Sequence, residues 1–174
     1  VGRHQQIFQI WIRPVQNHAR HFALRAAIRE LKDLVDNGLT QEEFDLTKKF
    51  LSKYYLHFAP SNSYKLGYKL DDNFYGLKDG FLDSFAEKIN ALTLDQVNTA
   101  IKKHLQYENL KIAMVTEDAE SLKIDLISNA KSPMEYSTPK AQAVLDEDKE
   151  IESFPLEVKE ENVKIIKVDE IFEN

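Results

Sequence analysis

The sequence contains no cysteine, which excludes disulfide bonds and thiolate metal sites. It has no run of 18 or more apolar residues, so no segment is long enough to span a membrane as a helix. The formal net charge of -6 argues against nucleic acid as the main partner. We therefore expect a soluble protein, and the lack of cysteine leaves a periplasmic and a cytoplasmic location equally open.

Motifs that carry chemistry are also missing. Neither the zinc-peptidase helix motif H-x-x-E-H nor its reversed form occurs, and there is no nucleophile motif G-x-S-x-G. His18 and His21 could share a helix face, but no acidic residue accompanies them, so a solvated helical turn is favoured over a metal site. Asp71 and Asp72 are adjacent and point about 100° apart on a helix, which favours a surface or capping role over a catalytic pair. The sequence therefore predicts no catalytic residue and no metal ligand in this chain.

What the sequence does contain is a strong pattern for two helices between Phe22 and Phe58. At the joint, Gly38 can adopt the left-handed conformation that ends the first helix. Thr40 and Glu43 have the spacing of a capping box for the second. The pattern predicts an antiparallel helical hairpin whose first helix buries an apolar stripe formed by Leu24, Ala27, Ile28, Leu31, Leu34 and Val35.

Further helices and strands follow from periodicity and turn residues. Alternating apolar residues predict a strand from Gln6 to Arg13, with Phe8, Ile10 and Ile12 on one face, and a second from Leu110 to Thr116. The predicted helices after the hairpin are one that starts near Ser61 and ends at Gly76, one from Phe81 to Asn90, one capped by Thr93 and Gln96 that runs to about Leu105, and one from Ala119 to Ser128. Three tyrosines of the first of these helices, Tyr64, Tyr68 and Tyr75, fit either the edge of a core, which is favoured, or a binding wall.

These elements predict an α+β fold in which helices pack on one face of an antiparallel or mixed sheet. Two strands do not form a stable sheet by themselves, so its missing strands are expected upstream of Val1, in another chain or in the tail. We expect a partial domain over residues 1–130. Residues 131–174 are expected to form an extended acidic tail with a short strand from Val163 to Val168; within it, residues 141–174 carry eleven acidic and four lysine side chains.

The order of these motifs resembles a known family. The alternating segment Ile7 to Pro14 is followed by the joint Asn37-Gly38-Leu39-Thr40-x-x-Glu43 and by Leu66-Gly67-Tyr68-x-Leu70. Later come Leu92-Thr93-Leu94-Asp95-Gln96-Val97 and Asn109 to Thr116. Together they resemble the later part of the carboxy-terminal half-repeat of the pitrilysin/insulinase-type zinc metallopeptidases, over Gln5 to Leu126, about 70% of the chain.

The resemblance implies a parent enzyme built from two similar halves around a chamber. Zinc and H-x-x-E-H belong to the amino-terminal half in that family, so a chain similar to the other half is expected to hold no metal. The substrate-holding arginine and tyrosine of many members correspond to positions upstream of Val1, and no such role can be assigned to a residue here. The resemblance thus implies zinc in the parent only, and as partners the missing amino-terminal half or a partner subunit, with peptide substrate bound through the parent.

Two functions follow from the resemblance. In the first, the parent hydrolyses peptides with zinc-activated water, and this chain supplies chamber wall and the interface between halves. Trp11 and Arg13 are then candidates for the chamber wall, because they lie opposite Phe8, Ile10 and Ile12 on the predicted strand; a solvent-facing or helix-covered position is the alternative. In the second, the parent is a non-catalytic relative that acts as a scaffold or partner subunit. A helical adaptor unrelated to the family is a third alternative.

Because the sequence offers no ligand set, titration of the isolated chain with zinc should show no tight stoichiometric site. Isothermal calorimetry with Zn²⁺ alone measures this directly. One zinc ion bound per chain with submicromolar affinity would contradict the prediction.

Overall fold

The computed structural model describes residues 7–171, which are helical with irregular connections. Gln6, where the first predicted strand begins, lies outside them, as do residues 1–5 and 172–174. The helices are α1 (Arg20–Asn37), α2 (Gln41–Tyr54), α3 (Asn62–Tyr75), α4 (Phe81–Ala91), α5 (Leu94–His104), α6 (Ala119–Ile127), α7 (Gln142–Ile151) and α8 (Val168–Ile171), with short 3-10 turns at Asn17–Ala19, Tyr55–His57 and Glu160–Asn162. No helix among residues 7–171 combines the length and apolarity needed to cross a membrane.

The prediction of an α+β fold is wrong for the described chain. Residues 7–171 contain no strand, and the segments predicted as strands, up to Arg13, from Leu110 to Thr116 and from Val163 to Val168, are irregular apart from α8, which begins at Val168. Residues 7–15 and 110–115 form no backbone-to-backbone hydrogen bond with another described residue. The alternation of apolar residues is present, but a strand also needs a neighbour to share its hydrogen bonds, and the described chain supplies none. We call residues 7–15 and 110–115 the unpaired segments.

The acidic region also differs from its predicted extended form. Residues Gln142–Ile151 form α7, and Ile151 is buried. The prolines that suggested an extended tail, Pro139 and Pro155, lie outside this helix and leave room for about four turns between them. The two prolines therefore limit how long a helix in this region can be, but they do not prevent one from forming.

The helix boundaries that rest on local capping are confirmed. Gly38 has a φ of 73° and ends α1, while Thr40 and Glu43 form the expected reciprocal capping box at the start of α2. Thr93 and Gln96 cap α5 in the same way. Each signal lies within four residues of the backbone group with which it bonds, so it acts without help from the rest of the fold.

The described chain forms two compact units. Unit 1 comprises residues 7–33 and 106–171, and unit 2 comprises residues 34–105, so the division falls inside α1. The core of unit 1 joins Leu24 of α1 to Leu122 and Leu126 of α6. Three partly buried hydrophobic residues pack against this core: Ile28, Leu156 and Val158. The predicted stripe of α1 is thus buried at Leu24 and Leu31, against partners that include α6 rather than a sheet.

Unit 2 is organised by aromatic stacking around α4. Phe81 stacks on Tyr68 of α3 at a centroid distance of 5.4 Å, and Phe85 stacks on Tyr55 at 5.3 Å. Phe58 meets Phe85 edge to face at 5.6 Å. Such pairs add about 0.5–1.5 kcal/mol each beyond the burial of their area. The joint between α1 and α2 is held by the side chain of Asn98, which donates to the Leu39 carbonyl and accepts from the Leu39 N–H at 3.0 and 2.8 Å.

Two glycines of α3 give a matched test of the fold. Gly67 lies in the helix interior and Gly76 ends the helix with a φ of 68°, and an added Cβ would meet nothing within 4 Å at either position. Gly67→Ala should stabilise the protein by about 0.4–1 kcal/mol, because alanine loses less backbone entropy. Gly76→Ala should destabilise it by about 1–2 kcal/mol, because alanine is strained in the left-handed conformation. Urea unfolding followed by circular dichroism measures both; effects of the same sign would contradict the assigned helix end.

Candidate functional site

The residues proposed for a chamber wall lie on the first unpaired segment. Trp11 is 80% exposed and donates its indole N–H to the Gln9 side chain at 3.0 Å. Arg13 is also exposed. Phe8 and Ile12, on the opposite face of the predicted strand, are exposed as well, at 57% and 44%. Both faces of this segment are therefore accessible, and the assignment of Trp11 and Arg13 to a chamber stays a prediction.

The second unpaired segment is similarly apolar and lies in the same unit. Ile112, Met114 and Val115 are all exposed. Its end is fixed next to the start of α1, because Arg20 donates hydrogen bonds to Thr116 Oγ1 at 2.5 Å and to Asn17 Oδ1 at 2.6 Å. Thr116 in turn donates to Asn17 Oδ1 at 3.2 Å. This group of three side chains ties the residue that follows the second segment to the turn that follows the first.

A buried arginine lies one turn further along α1. Arg25 has no exposed surface, and no carboxylate oxygen of the described chain is hydrogen-bonded to it. Its guanidinium donates to Ser132 Oγ at 2.8 Å, to Asn129 Oδ1 at 2.9 Å and to the Asn129 carbonyl at 3.3 Å. It also donates to the carbonyl of Glu152. We call Arg25, Asn129, Ser132 and Glu152 the arginine node.

The partners of Arg25 are the ends of two helices. Asn129, with a φ of 51°, follows α6 in a Schellman arrangement in which the Asn129 and Ala130 N–H groups donate to Leu126 and Asp125. Glu152 follows the last residue of α7. Helix carboxyl ends carry partial negative charge, which compensates a cation without a formal anion in contact. Burial nevertheless lowers the pKa of Arg25, and the nearby charge of Glu152 opposes that shift.

Sequence reasoning missed the two polar residues of the α1 core, His21 and Arg25. The sequence predicts a solvated turn at His21, yet this residue is only 5% exposed, whereas His18 is exposed. Both missed residues fit the helical period of the buried stripe, since His21 lies three residues before Leu24 and Arg25 lies three residues before Ile28. That spacing was the available signal, and the polarity of the two side chains concealed it.

The adjacent carboxylates behave as a cap. Asp72 is buried and accepts a hydrogen bond from the Phe81 N–H at 2.7 Å, which satisfies the start of α4, while Asp71 is exposed. Of the three tyrosines, Tyr68 is half-buried in the aromatic cluster, and Tyr64 and Tyr75 are 60% and 50% exposed. Tyr64 and Tyr68 border an open, shallow depression beside Asp71. No group of three or more metal-ligating side chains occurs among residues 7–171.

Comparison of the chain with protein-family models, with curated proteins and with solved structures found no match. The arginine node pairs a cation with neutral oxygens and contains no adjacent nucleophile and base, so its contacts are those of a structural element. The unpaired segments instead offer apolar side chains and free backbone groups, which are suited to binding another polypeptide. They form the candidate functional site.

The arginine node can be tested with two arginines of α1. Arg25→Gln should lower the free energy of unfolding by about 2–4 kcal/mol, because it leaves buried carbonyls at two helix ends without their donor. Arg29 contacts Glu147 and Glu150 at the surface, both at 3.1 Å, so Arg29→Gln should cost less than about 1 kcal/mol. Urea unfolding at pH 7.5 compares the two variants. Equal losses would show that the node contributes no more than a surface ion pair.

Proposed function

We propose that this chain is a non-catalytic scaffold part of a zinc-dependent peptidase of the pitrilysin/insulinase type. In this proposal it supplies wall and interface, while the zinc ion and the glutamate base belong to the other half of the parent. The sequence resemblance suggests the class of parent. The observation that carries the proposed role is the exposure of the unpaired segments.

The first unpaired segment presents a large apolar surface. Its six large hydrophobic side chains are between 44% exposed, at Ile12, and 80% exposed, at Trp11; the others are Ile7, Phe8, Ile10 and Val15. Contiguous exposed apolar surface of this kind marks an interaction site in soluble proteins. The free backbone groups of the same residues can add hydrogen bonds to a partner. These features support an interface with the parent's other half.

In this proposal the catalytic chemistry of the parent is assigned to its other half. Peptide hydrolysis by zinc-activated water needs a bound metal and a positioned base. Under the proposal, both must come from the partner, so hydrolysis should appear only in the assembled parent.

The test starts from the coding sequence upstream of Val1, which should encode H-x-x-E-H followed by a distal glutamate. That segment is expressed separately and mixed with this chain. We expect the two parts to form a complex that hydrolyses a fluorogenic peptide. Neither part alone should hydrolyse the peptide, and a zinc chelator should abolish the activity of the mixture. Because Trp11 is the only tryptophan of the chain, 5-fluorotryptophan labelling gives one ¹⁹F resonance that should shift when the complex forms.

A matched pair of variants locates the interface. Trp11→Ala should weaken the complex at least tenfold, because it removes the most exposed aromatic side chain of the first segment. Leu66→Ala removes an apolar side chain that is 61% exposed on α3, outside both segments, and should leave the affinity unchanged. If a complex forms without hydrolysis and no H-x-x-E-H is encoded upstream, the result would support the alternative in which the parent itself is a non-catalytic relative that acts as a scaffold or partner subunit. Failure to form any complex would contradict both roles.

A further inference from the structure

His21 is a buried titratable group with no partner. It is 5% exposed, and its Nε2 atom has no hydrogen-bond partner in the described chain. Arg25 lies four residues later and is fully buried, and its Nε atom also has no partner. Positions i and i+4 are neighbours on a helix surface, so the imidazole and the guanidinium lie on the same buried face of α1.

The surroundings of His21 favour the neutral imidazole. Burial lowers the pKa of His21, and the positive charge of Arg25 on the same helix lowers it further. Arg20, also on α1, acts in the same direction, while Asp125 of α6 opposes them. A proton on His21 would add a second buried charge beside Arg25, whose own charge is compensated only by hydrogen bonds to neutral oxygens and by the nearby Glu152.

The face that carries His21 and Arg25 holds two later parts of unit 1. Leu24, between them in sequence, packs with Leu122 and Leu126 of α6, and Leu156 and Val158 pack against that cluster. Arg25 itself bonds to the residues that follow α6 and α7. A second positive charge on this face of α1 therefore weakens its packing against both α6 and residues 152–158.

We propose that His21 is an acid-sensitive latch, whose protonation loosens α1 from α6 and from residues 152–158. Above about pH 6.5 the imidazole is neutral in both the closed and the opened state, and the contacts of α1 have their full stability. As the pH falls below that value, the opened state binds a proton that the closed state disfavours. The closed state then loses stability by up to about tenfold in its equilibrium constant for each pH unit, until the lowered pKa of the closed state is reached.

The latch predicts a local effect of mild acid, which amide hydrogen exchange on the intact chain can measure. After correction for intrinsic exchange rates, lowering the pH from 7.5 to 5.5 should increase the opening of α6 and of residues 152–158 by several-fold or more. Helix α4 of unit 2 should not change and serves as an internal reference. Surface carboxylates remain largely ionised over this range, so they contribute little.

Histidine variants assign the effect. His21→Phe should abolish the acid-dependent opening, since it keeps a ring and removes the titration, whereas His18→Phe, at an exposed position of the preceding turn, should retain it. If His21→Phe does not fold, His21→Gln replaces it, and the His21 imidazole is titrated by NMR in the unmodified chain. Acid-dependent opening that persists in the His21 variant, or a His21 pKa at or above 6.5 in the folded chain, would overturn the proposal.

Discussion

The contact between the Arg25 guanidinium and the ends of α6 and α7 is the interaction on which unit 1 depends. It joins α1 to Asn129, Ser132 and Glu152, which follow Arg25 in sequence by 104, 107 and 127 residues. The hydrophobic core of the unit is small, with Leu24, Leu122 and Leu126 as its buried cluster. Apolar packing of this kind is weakly directional, whereas a planar guanidinium with four hydrogen bonds fixes the angle and register of the elements that it meets. The arginine node thus specifies the arrangement that the small core stabilises.

The parts of the fold that sequence predicted are those whose cause is local. The joints at Gly38 and Thr40, the cap at Thr93 and the left-handed Gly76 each depend on groups within a few residues. A side-chain oxygen that satisfies an N–H three residues later forms its bond in almost any tertiary setting. For that reason the amino-acid sequence alone is enough to locate the joint between α1 and α2 and the helices α3 to α6, whereas α7, which has no side-chain cap at its start, was not predicted.

The features that sequence reasoning missed have distant causes. The strand pattern at Ile7 to Arg13 needs a neighbouring strand to become a sheet, and the described chain offers no such neighbour. Asn98 forms hydrogen bonds with the joint at Leu39, 59 residues earlier in the sequence, and the partners of Arg25 are separated from it by more than 100 residues. The sequence does not distinguish an arginine that is buried against helix ends from one that is exposed to solvent, so composition and periodicity could not predict the burial of Arg25. The sequence shows the alternating apolar residues of the candidate site, but it does not show that their side chains are exposed to solvent.

The exposure of the unpaired segments sets a condition on any partner. Complete burial of a large hydrophobic side chain contributes about 1.5–3 kcal/mol, so covering the still exposed parts of the first segment would contribute about 5–10 kcal/mol. Association itself costs about 4–15 kcal/mol in lost freedom of motion, which this segment alone barely offsets. Covering Ile112, Met114 and Val115 as well would add roughly 3–6 kcal/mol. Since Arg20 ties Thr116 to Asn17, the ends of both segments are held close together, and a partner that forms a stable complex is one broad enough to contact both. A protein surface meets that condition, whereas a short peptide substrate that covered the first segment alone would not.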